Sequence, residues 1–306
     1  MMSTLSGSTR AQETRRTYVY KVVQGCQIKA DVFGAAAGAN RAAVIWLHGG
    51  GLIFGSRTTP RPVFLEGLLE AGVVVISIDY RLAPETKLAE IVEDALDAWR
   101  WVREEGPAVL GIDPDRIAMA GGSSGAYLAL LAGFHAFPRP RALASFWGFG
   151  DITTPWEAEP SAYYLEQELI SREQALLTVG VSALSEQIEN VDRAYFYLYC
   201  RQQGLWPIEV TGHDPRTEPR WFDEYCPVRN ITPDFPPTIL IHGTADMDVP
   251  YEESEALAAR LNQAEVPHDF VTVAGAGHGL AGVAPDISAA ADRRAVTFLL
   301  QQLAST

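Results

Sequence analysis

The chain has 306 residues, of which 47% are hydrophobic and 20% charged, an ordinary balance for a globular protein with a sizeable core. Its formal net charge is −14 and its pI about 4.9. That field repels phosphate backbones and anionic bilayers, so neither nucleic acid nor a membrane is an expected partner.

Three cysteines, Cys26, Cys200 and Cys226, fit neither a disulfide framework nor a metal knuckle. They suit a reducing, cytoplasmic setting, with one Cys200–Cys226 bridge as the alternative. Residues 1–16 are polar and lack the apolar stretch of a secretory signal. The longest near-apolar run, Ala126 to Phe137, is interrupted by His135 and is far shorter than the ~20 residues of a membrane span.

Residues 1–15 read as a loosely docked tail. Thr17 to Val23 and Gln27 to Phe33 look like strands around a Gln24-Gly25 turn, a hairpin. Ala43 to Leu47 is an apolar strand that ends in His48-Gly49-Gly50-Gly51. Pro62 to Ala71 reads as helix and Val73 to Ile78 as a buried strand. Leu88 to Glu105 carries Ile91, Ala95, Trp99 and Val102 on one helical face. Arg116 to Ala120 is a strand, Ser124 to Phe134 a helix and Leu143 to Trp147 a strand. Continuous apolar strands alternating with amphipathic helices define an α/β chain, a mostly parallel central sheet with helices on both faces.

That rhythm stops near residue 152 and resumes near 237. The intervening stretch is rich in Tyr, Trp and Glu, with a helix predicted from Ser171 to Asn190. It reads as a cap or lid insertion, residues 152–236, on a core made of residues 1–151 and 237–306. Thr238 to His242 and His268 to Val273 are then strands, and Tyr251 to Gln263 and Ser288 to Leu303 helices.

Gly121-Gly122-Ser123-Ser124-Gly125 has the form G-x-S-x-G and lies between an apolar strand and a helix of small residues, the context in which a serine is presented on a sharp elbow. A serine hydroxyl needs a base, and the base an orienting acid. In this arrangement the acid and then the histidine follow the serine along the chain. Asp246 lies just beyond the strand Thr238 to Ile241, and His278 lies in Gly275-Ala-Gly-His-Gly279 beyond the strand Phe270 to Val273. Asp248 is the rival acid, set second because it lies farther from the strand end. His48 and His242 sit in glycine turns that suit structural roles, and His135, His213 and His268 lie in no loop beyond a later strand. The His48-Gly49-Gly50-Gly51 turn brings close-approaching amides. With Ser123 as nucleophile, Gly50, Gly51 and Ser124 are the expected oxyanion donors.

With these residues in hand, the chain resembles the α/β-hydrolase superfamily, and within it the hormone-sensitive-lipase-like esterases. The resemblance rests on His48-Gly-Gly-Gly51, Asp79-Tyr-Arg-Leu-Ala-Pro-Glu85, the serine elbow, Asp246 and His278, across residues 43–280. It implies that the Asp79–Glu85 run braces the floor of the site. Gly122 and Ser124 replace the aspartate and alanine usual in that elbow. The run from His242 to Val249 is closer to feruloyl-esterase-like and prolyl-oligopeptidase-like hydrolases. The expected activity is hydrolysis of a small-molecule carboxylic ester with a short-to-medium acyl or aromatic group, without metal or organic cofactor. The expected pocket residues are Phe54, Trp147 and the insertion aromatics Trp156, Tyr163, Tyr164 and Trp206, with Tyr197 and Trp221 beside them. A lactonase or amide hydrolase would use the same triad, whereas a small-molecule receptor of this fold would have a broken one. The resemblance also raises a homodimer, since relatives pair through the last strand or helix.

Overall fold

The computed structural model describes residues 15–36, 39–58, 60–186 and 192–304, so the expected N-terminal tail lies almost wholly outside the described residues. Two residues with positive φ, Gln24 (52°) and Gly25 (78°), turn β1 (Arg16–Val23) onto β2 (Cys26–Phe33), as a two-residue hairpin loop demands. The remaining strands are β3 (Arg41–Leu47), β4 (Val74–Ile78), β5 (Ile112–Gly122), β6 (Leu143–Phe146), β7 (Thr238–Gly243) and β8 (His268–Val273). They form one sheet in the order β1-β2-β4-β3-β5-β6-β7-β8. Only β1 and β2 run antiparallel to their neighbours. From β4 across to β8 every pairing is parallel.

A parallel sheet must be covered on both faces, and β3 shows how its sequence achieves this. Ala43, Ile45 and Leu47 enter one buried cluster, while Val44 and Trp46 enter another on the opposite face. Helices α1 (Pro62–Glu70), α2 (Leu88–Glu104) and α3 (Ser124–His135) connect β3 to β4, β4 to β5 and β5 to β6. Between β6 and β7 the chain forms several short helices, among them α4 (Ala194–Gln203) and α5 (Trp206–Thr211). Helices α6 (Tyr251–Gln263) and α7 (Pro285–Leu303) complete the order. Phe64 and Leu68 of α1 meet Phe298 and Leu299 of α7 under one face of the sheet. Ile91 of α2, Leu128 of α3 and Leu257 of α6 pack against the other. Each such side chain contributes about 1.5–3 kcal/mol on burial.

Two boundaries differ from expectation. Strand β5 starts at Ile112, ahead of the polar Asp113-Pro114-Asp115, because its register against β3 shifts between Arg41 and Ala43. It also runs through both elbow glycines to Gly122. The helix expected from Ser171 to Asn190 is helical only over Arg172–Leu176. Ser171 and Gln174 form a capping box at its start. It stops where β-branched Thr178 and Val179 lead into Gly180, whose amide donates to Glu85 Oε1 at 2.7 Å. Residues 187–190 of the expected helix lie outside the described residues. The three cysteines are unpaired. Among the described residues no helix is long and apolar enough to cross a membrane.

Candidate active site

The loops that leave the carboxyl ends of β3, β5, β7 and β8 meet over the middle of the sheet. This is where ligands bind in open α/β sheets, beside the strand at which the order reverses, here β3. Ser123 follows β5 directly and starts α3 with φ 55° and ψ −126°, a conformation costly for a residue with a side chain. Its amide donates to Phe146 O at 2.9 Å, which ties the elbow to β6. The tight turn depends on Gly125, where an added Cβ would lie 2.2 Å from Leu47 O.

His278 Nε2 lies 3.2 Å from Ser123 Oγ, and Nδ1 lies 2.8 Å from Asp246 Oδ2. The tautomer that satisfies both donates its Nδ1–H to Asp246 and accepts the serine proton at Nε2. Burial opposes charge on the ring, but the hydrogen bond to Asp246 and the charges of Asp248 and Asp246 outweigh it and raise the His278 pKa. Burial likewise opposes charge on Asp246. Hydrogen bonds from His242, His278 and the Val249 amide reverse that and hold its carboxyl well below the ordinary carboxylate range. Asp246 Oδ1 takes the amides of Asp248 and Val249 at 2.9 and 3.0 Å.

His242 is fully buried and completes this support. Its Nε2 lies 3.3 Å from Asp246 Oδ2 and its Nδ1 lies 2.7 Å from Ser254 Oγ. The loop after β3 is held as firmly. Tyr80 donates to His48 O (2.7 Å), Trp206 Nε1 to Gly51 O (2.9 Å) and Arg193 Nε to Ile53 O (2.7 Å). Arg193 is itself paired with Glu85 at 2.7 Å, both side chains buried. Asp79, Tyr80, Arg81 and Glu85 therefore all act as buried struts, Asp79 through Arg57 and Arg81 through Asp94. The amides of Gly50 and Gly51 donate to no described residue, and Ser124, at the first position of α3, has no intrahelical acceptor. Gly51 has φ 58°, and a Cβ there would lie 2.5 Å from the Tyr197 ring. His48 is buried, which lowers its pKa to about 4, and it stacks on Tyr80.

Ser123 and His278 open into a cavity of about 340 Å³ whose other walls include Trp46, Phe54, Arg61, Trp147, Tyr197 and Asp248. Gly122 suits the wall that Trp147 forms, since a Cβ there would already touch the indole at 3.4 Å. Arg61 stacks over Trp147 at 4.8 Å and is tied to Asp292 and Ser288.

Of the six expected pocket residues, the structure brings Phe54 and Trp147 to this cavity. It does not bring Trp156, Tyr163, Tyr164 or Trp206 there. Trp206 is turned to the back of the loop after β3, where its N–H satisfies Gly51 O. Trp156 and Tyr164 face the buried Arg201 guanidinium, at 5.0 and 5.2 Å, and Tyr163 packs on Tyr164. Trp221 stacks on His213 and Tyr225, away from the cavity. The sequence reading missed Arg201. Its signal was a single arginine four residues after Tyr197, on the same face of a helix full of tyrosines.

The sequence profile of the alpha/beta hydrolase fold family matches residues 44–282, and the chain belongs to that family. A non-reducing polyketide synthase of Aspergillus calidoustus is 29% identical over 92% of this chain, which spans 14% of that protein's length. An ethyl acetate hydrolase of Pseudomonas putida is 44% identical over 90 residues, 29% of this chain and 28% of that one. The fold is also that of Thermogutta terrifontis esterase 2, solved phosphoramylated by tabun. The two superpose with a TM-score of 0.65 at 23% identity, over 94% of each chain.

Proposed function

We propose that this chain is a serine esterase that cleaves small carboxylic esters through an acyl-enzyme on Ser123. The observation that carries this reading is the continuous path Asp246–His278–Ser123, with contacts of 2.8 and 3.2 Å, opening on an aromatic-walled cavity. The esterase names borne by two of its relatives point the same way.

His278 Nε2 takes the hydroxyl proton as Ser123 Oγ attacks the ester carbonyl. The carbonyl oxygen becomes an oxyanion within reach of the Gly50, Gly51 and Ser124 amides. Each such donor is worth about 3 kcal/mol to the transition state. Asp246 holds the imidazole in the right tautomer and stabilises its charged form. The tetrahedral species then breaks its bond to the alcohol oxygen, which leaves with the proton from Nε2. Water enters, gives a proton to Nε2 and attacks the acyl carbon. The acyl–Oγ bond breaks, the acid departs and Ser123 recovers its proton. Residues 152–236 serve in this reading as a cap that supplies Tyr197 to the cavity and struts to its loops.

The test is hydrolysis of chromogenic esters from acetyl to dodecanoyl by the wild type and by Ser123→Ala, with fluorophosphonate labelling of both. Ester turnover and labelling that both vanish in Ser123→Ala are the expected result. Unchanged turnover in the variant would remove Ser123 from the mechanism.

A further inference from the structure

Among the described residues, Asp248 is the one carboxylate that reaches the cavity without belonging to the path of proton transfer. Its Oδ1 is saturated. Tyr197 OH donates to it at 2.6 Å and Arg201 Nη1 at 2.8 Å. Its Oδ2 is turned toward His278. The Tyr164 hydroxyl also hydrogen-bonds to Asp248, and burial, the carboxylate's charge and that bond together raise the phenol's pKa. The nearest ring nitrogen to Oδ2 is His278 Nε2, at 3.5 Å. In the resting tautomer that nitrogen is itself an acceptor, facing the Ser123 hydroxyl, so two acceptors confront each other. A carboxylate oxygen in this position keeps acceptor capacity for a donor that enters the cavity.

The position of that donor follows from the chemistry. Nε2 hands its proton to the departing alcohol oxygen, so the leaving group sits within hydrogen-bond reach of Nε2. Asp248 Oδ2 is one short step further on. A donor two carbons from the ester oxygen spans that gap. Arg61, the cation on the same cavity, does not compete, because Asp292 already pairs with it. The net charge of −14 also favours the approach of a cation over that of an anion.

Resting on the esterase reading above, we propose that Asp248 selects the alcohol half of the substrate. The favoured class is esters of alcohols that carry a hydrogen-bond donor on the second carbon, a hydroxyl or a protonated amine. Two features preorganise it for this. Its backbone is fixed by the hydrogen bond that its N–H donates to Asp246 Oδ1, and its side chain is fixed by Arg201 and Tyr197. Arg201 is in turn enclosed by the Trp156, Tyr164 and Tyr197 rings. The aromatic insertion thus shapes specificity at one remove, through a buried guanidinium.

The experiment measures kcat/KM by proton release for two matched pairs of butyrate esters. One pair is 2-hydroxyethyl against n-propyl, and the other is 2-(dimethylamino)ethyl against 3-methylbutyl. The wild type is expected to prefer the donor-bearing member of each pair by about tenfold, the worth of one hydrogen bond to a charged group. In Asp248→Asn the amide oxygen stays with Tyr197 and Arg201, so the NH2 group takes the place of Oδ2. An ammonium has only donors and meets a donor there, so its preference is lost. A hydroxyl can accept from the amide and keeps part of its advantage. A merely structural role for Asp248 would lower both members of a pair alike and leave the ratios unchanged, which would overturn the inference. Equal rates within both pairs for the wild type would overturn it without any variant. That result, with chromogenic esters still cleaved, leaves the esterase reading standing. Failure to cleave any ester, chromogenic ones included, removes both readings.

Discussion

The loops at the strand ends and the segment between β6 and β7 contribute to the site in different currencies. The strand-end loops bring the groups to which the proposed chemistry is assigned: Ser123 from β5, Asp246 from β7, His278 from β8 and the glycine amides from β3. The intervening segment brings Tyr197 to the cavity wall, but otherwise its side chains grip the loops from behind. Arg201 holds Asp248, Arg193 holds Ile53 O and Trp206 holds Gly51 O. The difference teaches that aromatic richness near a site is not the same as an aromatic pocket. Here the rings of Trp156 and Tyr164 enclose a buried cation, and that cation orders a carboxylate. Substitutions in the first region should therefore act on chemistry, and those in the second on stability and alignment.

The sharpest separation is at Ser123. Ser123→Ala should lower kcat for chromogenic esters by about 10⁴-fold or more. It should leave the thermal midpoint unchanged or raised, since the strained elbow loses its hydroxyl and no packing. Assay and thermal melt on one preparation check both. Arg201→Met is the counterpart in the other region. It leaves Asp248 at the cavity wall without its buried cation, and should cost about 3 kcal/mol in urea unfolding. Activity per folded molecule should fall far less than in Ser123→Ala. If Arg201→Met instead abolishes turnover while its stability holds, the division of labour drawn above is wrong.

Much of the first region was legible in the chain because its constraints are local. The elbow glycines and the positive-φ glycines after β3 follow from geometry within a few residues, whereas Asp246 and His278 lie far along the chain from Ser123 and were placed by the order that such a fold implies. The alternation of strands and helices was legible for the same reason, since burial on both faces of a parallel sheet writes continuous apolar runs. The second region was not. Which way Trp156 or Trp206 turns depends on partners 45 and 155 residues away, and composition is blind to that. The helix predicted from Ser171 to Asn190 stops early, at Leu176, ahead of a turn in which Glu85, far away in the chain, takes the Gly180 amide. Asp248 was visible only as a rival to Asp246. Its distinct position emerges once Arg201 and Tyr197 are placed beside it.

A subtler probe of the second region is its pH dependence. Glu157 is buried, which raises its pKa from 4.5 to about 8 against the opposing charge of Arg201. An acid with a higher pKa in the folded than in the unfolded chain binds more protons when folded. Its stabilising contribution is complete below about 4.5 and is lost as pH rises through about 8. Unfolding free energy should accordingly decline across that window by on the order of 2–4 kcal/mol from this group. Glu157→Gln should flatten the decline. Parallel urea titrations at pH 5, 6.5 and 8 decide this. A decline of the same slope in the variant would place its origin in other groups.

The smallest effect expected is the most specific to the link between the regions. Trp206→Phe keeps most of the ring volume and removes one N–H, the donor to Gly51 O at 2.9 Å. Gly51 carries one of the three amides assigned to the oxyanion. A carbonyl freed on one side of that residue loosens the orientation of its amide on the other. The interaction is one neutral hydrogen bond, about 1 kcal/mol, so kcat should fall about fivefold. Because the amide acts on charge that exists only in the transition state, KM should stay close to that of the wild type. Steady-state kinetics on a single good ester suffices. A change confined to KM would instead place Trp206 in contact with substrate, and would restore the pocket role that the sequence alone suggests for it.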